Sequence, residues 1–179
     1  KFIGEKIKEF RETGEYNFIF GFEESIGFLA GTYARDKDAV VASMLVAEMA
    51  CYYRNRNMNL VQALQALYEK YGFYREHTTS VQYEGFDAGE KMRARMDRIR
   101  EEVPTEIGLP VLRIRDYEKQ EILDRATGER VSTGMEPSNV LYYELADRCN
   151  LAVRPSGTEP KIKIYVMAQG DSMEKAEAN

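Results

Sequence analysis

The sequence predicts two parts of different fold class: an α/β part, followed by an α+β part in which helices cover one face of an open sheet. In the first part, a short apolar and aromatic run is followed in the sequence by two amphipathic helical patterns. Strand patterns dominate the second part, and the clearest is Lys161–Met167, in which apolar and polar residues alternate. This period of two is typical of a sheet with one buried and one solvated face.

The first part begins with a helical apolar spacing over Lys1–Phe10. The run Tyr16–Phe22 then predicts a short buried strand. Either Asp36 or Asp38 is suited to cap the helix that follows, because a carboxylate accepts hydrogen bonds from the first amide groups of a helix.

One more helix is predicted in the first part, after the helix that Asp36 or Asp38 is suited to cap. Asn59 and Gln62 resemble a capping box, and Gly72 ends the helical pattern. Beyond it the segment from Glu76 to Tyr83 is polar and β-branched, and we place a domain boundary there. The two predicted domains are therefore residues 1–75 and 76–179.

The second part starts with a helix that Asp87 and Glu90 are placed to cap. Strands follow it, separated by turn signals at Thr127-Gly128 and Ala146-Asp147-Arg148. The predicted strands are Val111–Tyr117, Asn139–Leu145, Asn150–Val153 and Lys161–Met167.

The composition excludes several classes of function. A formal net charge of -5 argues against general binding to nucleic acid or to a membrane surface, which needs a basic excess. No apolar run approaches the roughly 18 residues of a membrane helix. Cys51 and Cys149 lie in apolar surroundings far apart in the sequence, so we expect both to be reduced core residues of a cytoplasmic protein.

His77 is the only histidine, and it has no Cys or acidic cluster with metal-ligand spacing around it. Neither a zinc site nor a histidine-based triad can be built from such a sequence. We therefore expect no metal ligands in this chain.

The connection between the last two predicted strands is rich in anion-binding groups. Arg154 offers a planar fork of donors, Ser156 and Thr158 offer hydroxyls, and Gly157 lets backbone amides approach an anion. Lys161 adds a cation, and two prolines stiffen the loop. The residues are equally consistent with a stiff turn whose arginine pairs with a surface carboxylate.

Two further segments carry groups suited to a polyol or a phosphosugar. Glu23 and Ser25 follow the first predicted strand, and a carboxylate beside a hydroxyl can bind neighbouring sugar hydroxyls. Arg35 and Lys37 alternate with acidic residues before the next helix and could bind a phosphate group. The alternatives are a solvated acidic turn and a capping segment with solvated cations.

In this order, the segments FEESIG (22–27), ARDKDAV (34–40) and RPSGTEPK (154–161) resemble the C-terminal part of an α-D-phosphohexomutase, the phosphoglucomutase/phosphomannomutase family. The form of the first two segments is most similar to the bacterial phosphoglucomutase branch. The resemblance implies that residues 1–75 are the C-terminal part of an α/β third domain. It also implies that residues 76–179 are a fourth domain of TBP-like α+β fold, whose last helix is cut short.

The family resemblance also implies an activity. The parent enzyme would interconvert hexose 1-phosphate and hexose 6-phosphate through a phosphoserine and glucose 1,6-bisphosphate, with Mg²⁺ as cofactor. Arg154, Ser156, Gly157, Thr158 and Lys161 would hold the phosphate that is not reacting. The sugar hydroxyls would contact Glu23 and Ser25, with Lys37 and Arg35 supplying positive charge.

The chain departs from the family pattern in two motifs. It contains neither the Ser-His-Asn-Pro segment of the phosphorylated serine nor the Asp-Gly-Asp-Gly-Asp metal loop. The resemblance therefore implies that the chain holds no catalytic residue, that N-terminal domains of the same protein are its partners, and that it is inactive alone. The alternatives are a stand-alone phosphate- or phosphosugar-binding module and a purely structural α+β protein.

Overall fold

The computed structural model describes residues 2–23 and 26–178, which fold as two compact units, Lys1–Ala66 and Leu67–Asn179. The helices are α1 (Phe2–Thr13), α2 (Ala39–Arg54), α3 (Leu60–Tyr71), α4 (Ala88–Glu101) and α5 (Met173–Ala178). The strands are β1 (Phe20–Glu23), β2 (Gly27–Ala30), β3 (Phe73–Gln82), β4 (Glu106–Ile107), β5 (Leu109–Asp116), β6 (Glu121–Asp124), β7 (Arg130–Ser132), β8 (Leu141–Leu145), β9 (Asn150–Pro155) and β10 (Lys161–Gly170). The predicted fold class, α/β followed by an open antiparallel sheet with helices, is confirmed. The assignment of residues 1–75 and 76–179 to two domains of the family stays a prediction.

Local side-chain chemistry determines where α2 and α3 begin. The Asp38 carboxylate accepts hydrogen bonds from the backbone amides of Val40 and Val41, at 2.8 and 3.2 Å, and so caps α2. Asn59 and Gln62 exchange backbone-to-side-chain hydrogen bonds of 2.9 Å in both directions. This reciprocal pair is a capping box, as the sequence predicts.

The apolar and aromatic run before these helices differs from its prediction as a buried strand. Only Phe20–Glu23 is extended, and it pairs with β2 in a two-stranded antiparallel hairpin. Phe20 and Phe22 are 46% and 66% exposed, and Cys51 on α2 is exposed rather than in a core. The physical reason is that a two-stranded hairpin gives these side chains little cover: α2, which packs against β2, has no buried residue itself within the described part of this unit.

In the second unit, the antiparallel sheet has the strand order β3-β10-β9-β8-β5-β6-β7, with β4 paired to β5. Helix α4 packs against β9 and β10, and α5 packs against β3 and β10. The helix-covered face carries a core in which Met96 of α4 is buried with Leu141, Val153 and Ile162. The predicted alternation of β10 thus places its apolar residues towards the helices and its lysines towards the other face.

An ionic cluster lies at the end of α4. The Arg100 side chain is 7% exposed, and its Nε lies 3.1 Å from Oδ2 of Asp116, itself a buried carboxylate. Arg100 also donates to Oδ1 of Asn139 at 2.6 Å and pairs with Glu118 at 2.7 Å. Asp116 accepts the backbone amides of Glu118 and Lys119, at 3.0 and 3.1 Å. One guanidinium therefore ties α4 to the β5–β6 turn and to the segment before β8.

The polar segment at which the sequence places a domain boundary forms a strand of the sheet. β3 pairs with β10 over the whole length of both strands, from Phe73 opposite Gly170 to Gln82 opposite Lys161. Almost all of its side chains are exposed. Backbone pairing with β10, together with packing of α5 against the strand, therefore holds β3 in place with little side-chain burial.

The turn signals of the second part are confirmed. Asp124 ends β6, and its carboxylate accepts the amides of Ala126 and Thr127 at 3.0 and 3.1 Å, which shapes the predicted turn before β7. The hydrogen bond from Thr127, followed by that from Arg113, holds the pKa of the Asp124 carboxyl below its usual value. The segment Ala146–Arg148 forms a tight turn between β8 and β9, in which Asp147 and Arg148 have φ of 54° and 61° and the Cys149 amide donates to the Ala146 carbonyl at 3.1 Å.

Across residues 2–23 and 26–178, no helix combines the length and the apolar character that crossing a membrane requires.

Candidate functional site

The loop predicted to bind an anion connects the antiparallel strands β9 and β10. Its register places Pro155 opposite Ile162 and Arg154 opposite Lys163. The Ser156 amide donates to the Lys161 carbonyl at 2.8 Å, which closes the connection as a hairpin. The backbone at the base of this loop is thus set by the sheet ladder.

Arg154 is exposed on the face of the sheet opposite to the helices, since its neighbour Val153 points into the core. Its Nε donates to the Tyr165 hydroxyl at 3.2 Å, and its guanidinium carbon lies 5.7 Å from the centre of the Tyr165 ring. Because this contact uses one donor of the fork, the remaining guanidinium donors can still bind an anion.

The tip of the loop is open. The Thr158 amide is 3.5 Å from the Ser156 hydroxyl, at the long limit of a hydrogen bond, and Gly157 and Thr158 are exposed. A Cβ placed on Gly157 would meet no atom within 4 Å. The tip is therefore accessible to a ligand, and a side chain at residue 157 would not clash with the rest of the protein.

Lys161 is engaged within the loop itself. Its Nζ lies 2.5 Å from Oε2 of Glu159, and this lysine is the main cause of a lowered pKa of the Glu159 carboxyl. A phosphate that binds Lys161 would have to compete with this carboxylate or displace it. The structure thus places Lys161 beside the candidate site but with an internal partner.

Lys163 is a candidate that sequence reasoning missed. It lies directly opposite Arg154 in the β9–β10 ladder, and cross-strand neighbours have Cβ atoms about 4.5–5.5 Å apart on the same face. Two cationic side chains therefore project side by side next to the Ser156–Thr158 tip. No local sequence signal marks this pair, because it depends on the observed register of the hairpin, which sets residues 154 and 163 opposite each other.

The first unit brings three of the four predicted sugar-binding residues together. Glu23, Arg35 and Lys37 line a small cavity of about 40 Å³, whose other walls come from α1, β1 and β2. Ser25 lies outside the described residues. A water-sized group needs about 10–15 Å³, so this cavity admits a hydroxyl or two and not a sugar ring.

Glu23 and Lys37 form an ion pair in this cavity, with 3.0 Å between Oε2 and Nζ. The Asp38 amide donates to the Phe28 carbonyl at 2.9 Å, which joins the segment that carries Lys37 to β2. Within the segment, the Lys37 amide donates to Oδ1 of its neighbour Asp36 at 2.7 Å. The Tyr33 hydroxyl donates to Asp38, and this hydrogen bond is the main reason that the pKa of the Asp38 carboxyl is lowered. The segment is both the cap of α2 and a wall of the cavity.

A larger groove of about 670 Å³ lies elsewhere in the first unit. Its lining is apolar and aromatic apart from Glu48, and includes Phe20, Leu45, Met49 and Tyr52. It offers few groups to bind a phosphate or a polyol, so its size does not make it the better candidate.

The described residues contain no preformed cluster of metal-ligating side chains. In residues 2–23 and 26–178, His, Cys, Asp and Glu nowhere gather in a group of three that could hold a metal ion. Mg²⁺ needs oxygen ligands in near-octahedral geometry, usually with one or two carboxylates and substrate phosphates. We therefore assign no step to a metal held by these residues.

Comparison with known proteins identifies relatives of this chain. A family model described as phosphoglucomutase/phosphomannomutase, alpha/beta/alpha domain III, matches residues 1–71. A phosphoglucomutase of Staphylococcus haemolyticus is 34% identical over 178 residues, which is 98% of this chain and 32% of the relative. A phosphoglucomutase of Staphylococcus aureus strain USA300 is 37% identical over 169 residues, which is 93% of this chain and 30% of the relative.

Among solved structures, the fold is similar to that of the exocytosis-sensitive phosphoprotein parafusin, a phosphoglucomutase from Paramecium in its open form. The TM-score is 0.56 at 14% identity, over 94% of this chain and 28% of that one. At this identity the likeness concerns the fold alone.

Residues 1–71 thus match an alpha/beta/alpha domain of a known family, and the fold of the chain is similar to that of part of a phosphoglucomutase. It belongs to the phosphoglucomutase/phosphomannomutase family, as the sequence resemblance implies. The chain spans about a third of the length of the curated relatives it matches, 32% and 30% for the two staphylococcal proteins.

Proposed function

We propose that this chain supplies the sugar- and phosphate-binding part of a phosphohexomutase, which interconverts hexose 1-phosphate and hexose 6-phosphate through a phosphoserine and a bisphosphate intermediate. The observation that carries the proposal is the pair of Arg154 and Lys163 beside the open tip of the β9–β10 loop. The names of the staphylococcal relatives support it.

The loop is suited to an anion in both charge and geometry. The net charge of the chain is -5, so this local pair of positive charges is opposite in sign to the chain as a whole. Arg154 presents a planar donor fork, and the hydroxyls of Ser156 and Thr158 with the Gly157 backbone add neutral donors. We assign these residues, with Lys161 and Lys163, to the phosphate that is not reacting.

The sugar is assigned to the first unit. The carboxylate of Glu23 accepts hydrogen bonds from hydroxyls, and Lys37 and Arg35 in the same cavity donate them. We assign Ser25 to the same role from the sequence alone. The small volume of the cavity favours contacts with one edge of a sugar over enclosure of its ring.

Arg154→Ala is expected to weaken binding of glucose 1-phosphate and of inorganic phosphate by about 10- to 100-fold, the effect of losing one or more charge-assisted hydrogen bonds. Isothermal titration calorimetry on the full chain measures it. The matched control is Arg148→Ala, which removes an exposed arginine paired with Asp171 in the same unit. Binding that Arg154→Ala leaves unchanged, or that Arg148→Ala weakens equally, would overturn the assignment of the loop.

The chain alone is expected to show no mutase turnover. Phosphoryl transfer depends on electrostatic stabilisation of the moving group, and the chain contains neither the Ser-His-Asn-Pro segment nor the Asp-Gly-Asp-Gly-Asp loop. A coupled assay that follows glucose 6-phosphate formation with Mg²⁺ and glucose 1,6-bisphosphate measures this.

Two outcomes of the assay would change the proposal. Turnover by the chain alone above the blank would contradict the assignment of the chemistry to residues outside it. Phosphosugar binding without turnover, even after a polypeptide with both motifs is added, would favour a stand-alone binding module.

A further inference from the structure

We infer that Gly27 is a positioning residue for Lys37, because the missing Cβ leaves a slot in which the lysine stem crosses β2 to reach Glu23. The inference rests on the proposed function in one respect, namely that Lys37 contacts the phosphosugar. The placement of Lys37 by Gly27 is a separate physical claim and can be tested separately.

The slot is defined by the contacts that a side chain at residue 27 would make. A Cβ on Gly27 would lie 2.0 Å from Cδ, 2.8 Å from Cγ and 3.3 Å from Cε of Lys37. Two of these distances are shorter than carbon atoms can approach without displacement. The Lys37 stem therefore occupies the volume that any other residue at this position would fill.

Space, and not backbone conformation, is the reason for a glycine here. Gly27 lies in β2 and its φ is outside the left-handed region, in contrast with Gly31, whose φ is +68°. An extended strand residue accommodates any side chain as far as the backbone is concerned. A side chain at residue 27 would instead have to displace the lysine stem that lies over the glycine.

The slot also directs the lysine to its partner. Gly27 pairs with Glu23 across the β1–β2 hairpin, so a side chain that crosses Gly27 arrives beside the Glu23 carboxylate. The ammonium lies 3.0 Å from Oε2 of Glu23. Because Asp38 bonds to Phe28 at the other end, the backbone, stem and head group of Lys37 are each held.

This arrangement has a consequence for ligand binding. A solvated lysine loses much rotamer freedom when it binds a ligand, and a stem already held in a slot loses less. Gly27 thus acts through Lys37 without contacting a ligand.

Gly27→Ala is expected to release Lys37 from Glu23 and raise its rate of acetylation by about two- to fivefold, the population shift that loss of an exposed ion pair produces. The full chain is treated briefly with acetic anhydride, and acetylation of Lys37 relative to Lys8 is measured by mass spectrometry. Glu23→Gln gives the rate expected for a released lysine. Gly4→Ala is the matched control, because its Cβ would make only an ordinary 3.5 Å contact in the same cavity.

An unchanged Lys37 rate in folded Gly27→Ala overturns the inference, and so does an equal rise in Gly4→Ala. If Gly27→Ala fails to fold, the double variant Gly27→Ala/Lys37→Ala decides, since it lacks the clash. Recovery of folding in the double variant supports the slot, and continued failure overturns it.

A second readout separates this inference from the proposed function. Affinity for glucose 1-phosphate is expected to fall in Gly27→Ala and in Lys37→Ala, and the double variant is expected to be no weaker than Lys37→Ala. If acetylation rises while neither single variant loses affinity, the slot stands and the role of Lys37 in binding fails. Additive losses in the double variant contradict positioning through Lys37.

Discussion

Arg100→Met is expected to lower the free energy of unfolding of the second unit by about 3–5 kcal/mol, the cost of leaving a buried charge without its partner. Arg100 is 7% exposed and bonds to Asp116, Asn139 and Glu118. Methionine replaces the volume of the stem but none of the donors. The buried Asp116 carboxylate then keeps its two backbone donors and the Lys119 ammonium 4.0 Å away, but no donor from a buried side chain.

Urea unfolding followed by circular dichroism measures this effect. Arg98→Met on the same helix is the matched control, because its pair with Glu102 is exposed and such pairs contribute about 0–1 kcal/mol. Adding Asp116→Asn to Arg100→Met should recover part of the loss, since an amide is less costly to bury unpaired than a charge. Equal effects of the two arginine substitutions would show that the cluster is solvated.

Leu141→Ala is expected to destabilise the second unit by about 2–5 kcal/mol, because it opens a cavity in a closed core. Leu141 is 1% exposed and lies among Met96, Tyr143, Val153 and Ile162 in that core. The same substitution at Leu45 on α2 is expected to cost under about 1 kcal/mol, since that side chain is already 36% exposed.

Hydrogen exchange resolved by peptide measures both variants, since it reports each unit separately. The wild-type chain supplies the reference for both. A cost at Leu45 as large as that at Leu141 would mean that the apolar groove of the first unit is covered in solution.

Most features that depend on neighbouring residues were predictable from the sequence, but the cap predicted for α4 was wrong in that the Asp87 side chain makes no capping hydrogen bond. The Asp38 cap, the Asn59–Gln62 box and the turn at Thr127-Gly128 each use a side chain and an amide a few residues apart. The alternation of β10 was equally clear, because it records burial on one face of a sheet. In each case the residues that cause the structure lie within a short stretch of the sequence.

Features that depend on distant partners were not predictable. β3 has a polar sequence because its ladder with β10 requires backbone groups and no apolar face. The Arg100–Asp116 pair joins residues on a helix and a strand, and nothing in the spacing of charges on α4 distinguishes Arg100 from its exposed neighbours. Lys163 became a candidate only when the hairpin register placed it opposite Arg154.

The polar character of β3 has a consequence for association between molecules. Within the described residues β3 stands at the end of the strand order, with β10 on one side, so its other edge offers backbone donors and acceptors to any extended chain. Its exposed side chains include Arg75 and Glu76, which oppose the close approach of a second, identical edge. The polar residues of β3 are the reason that its sequence does not show a strand pattern. The charged ones among them also oppose the addition of a second strand to this edge of the sheet.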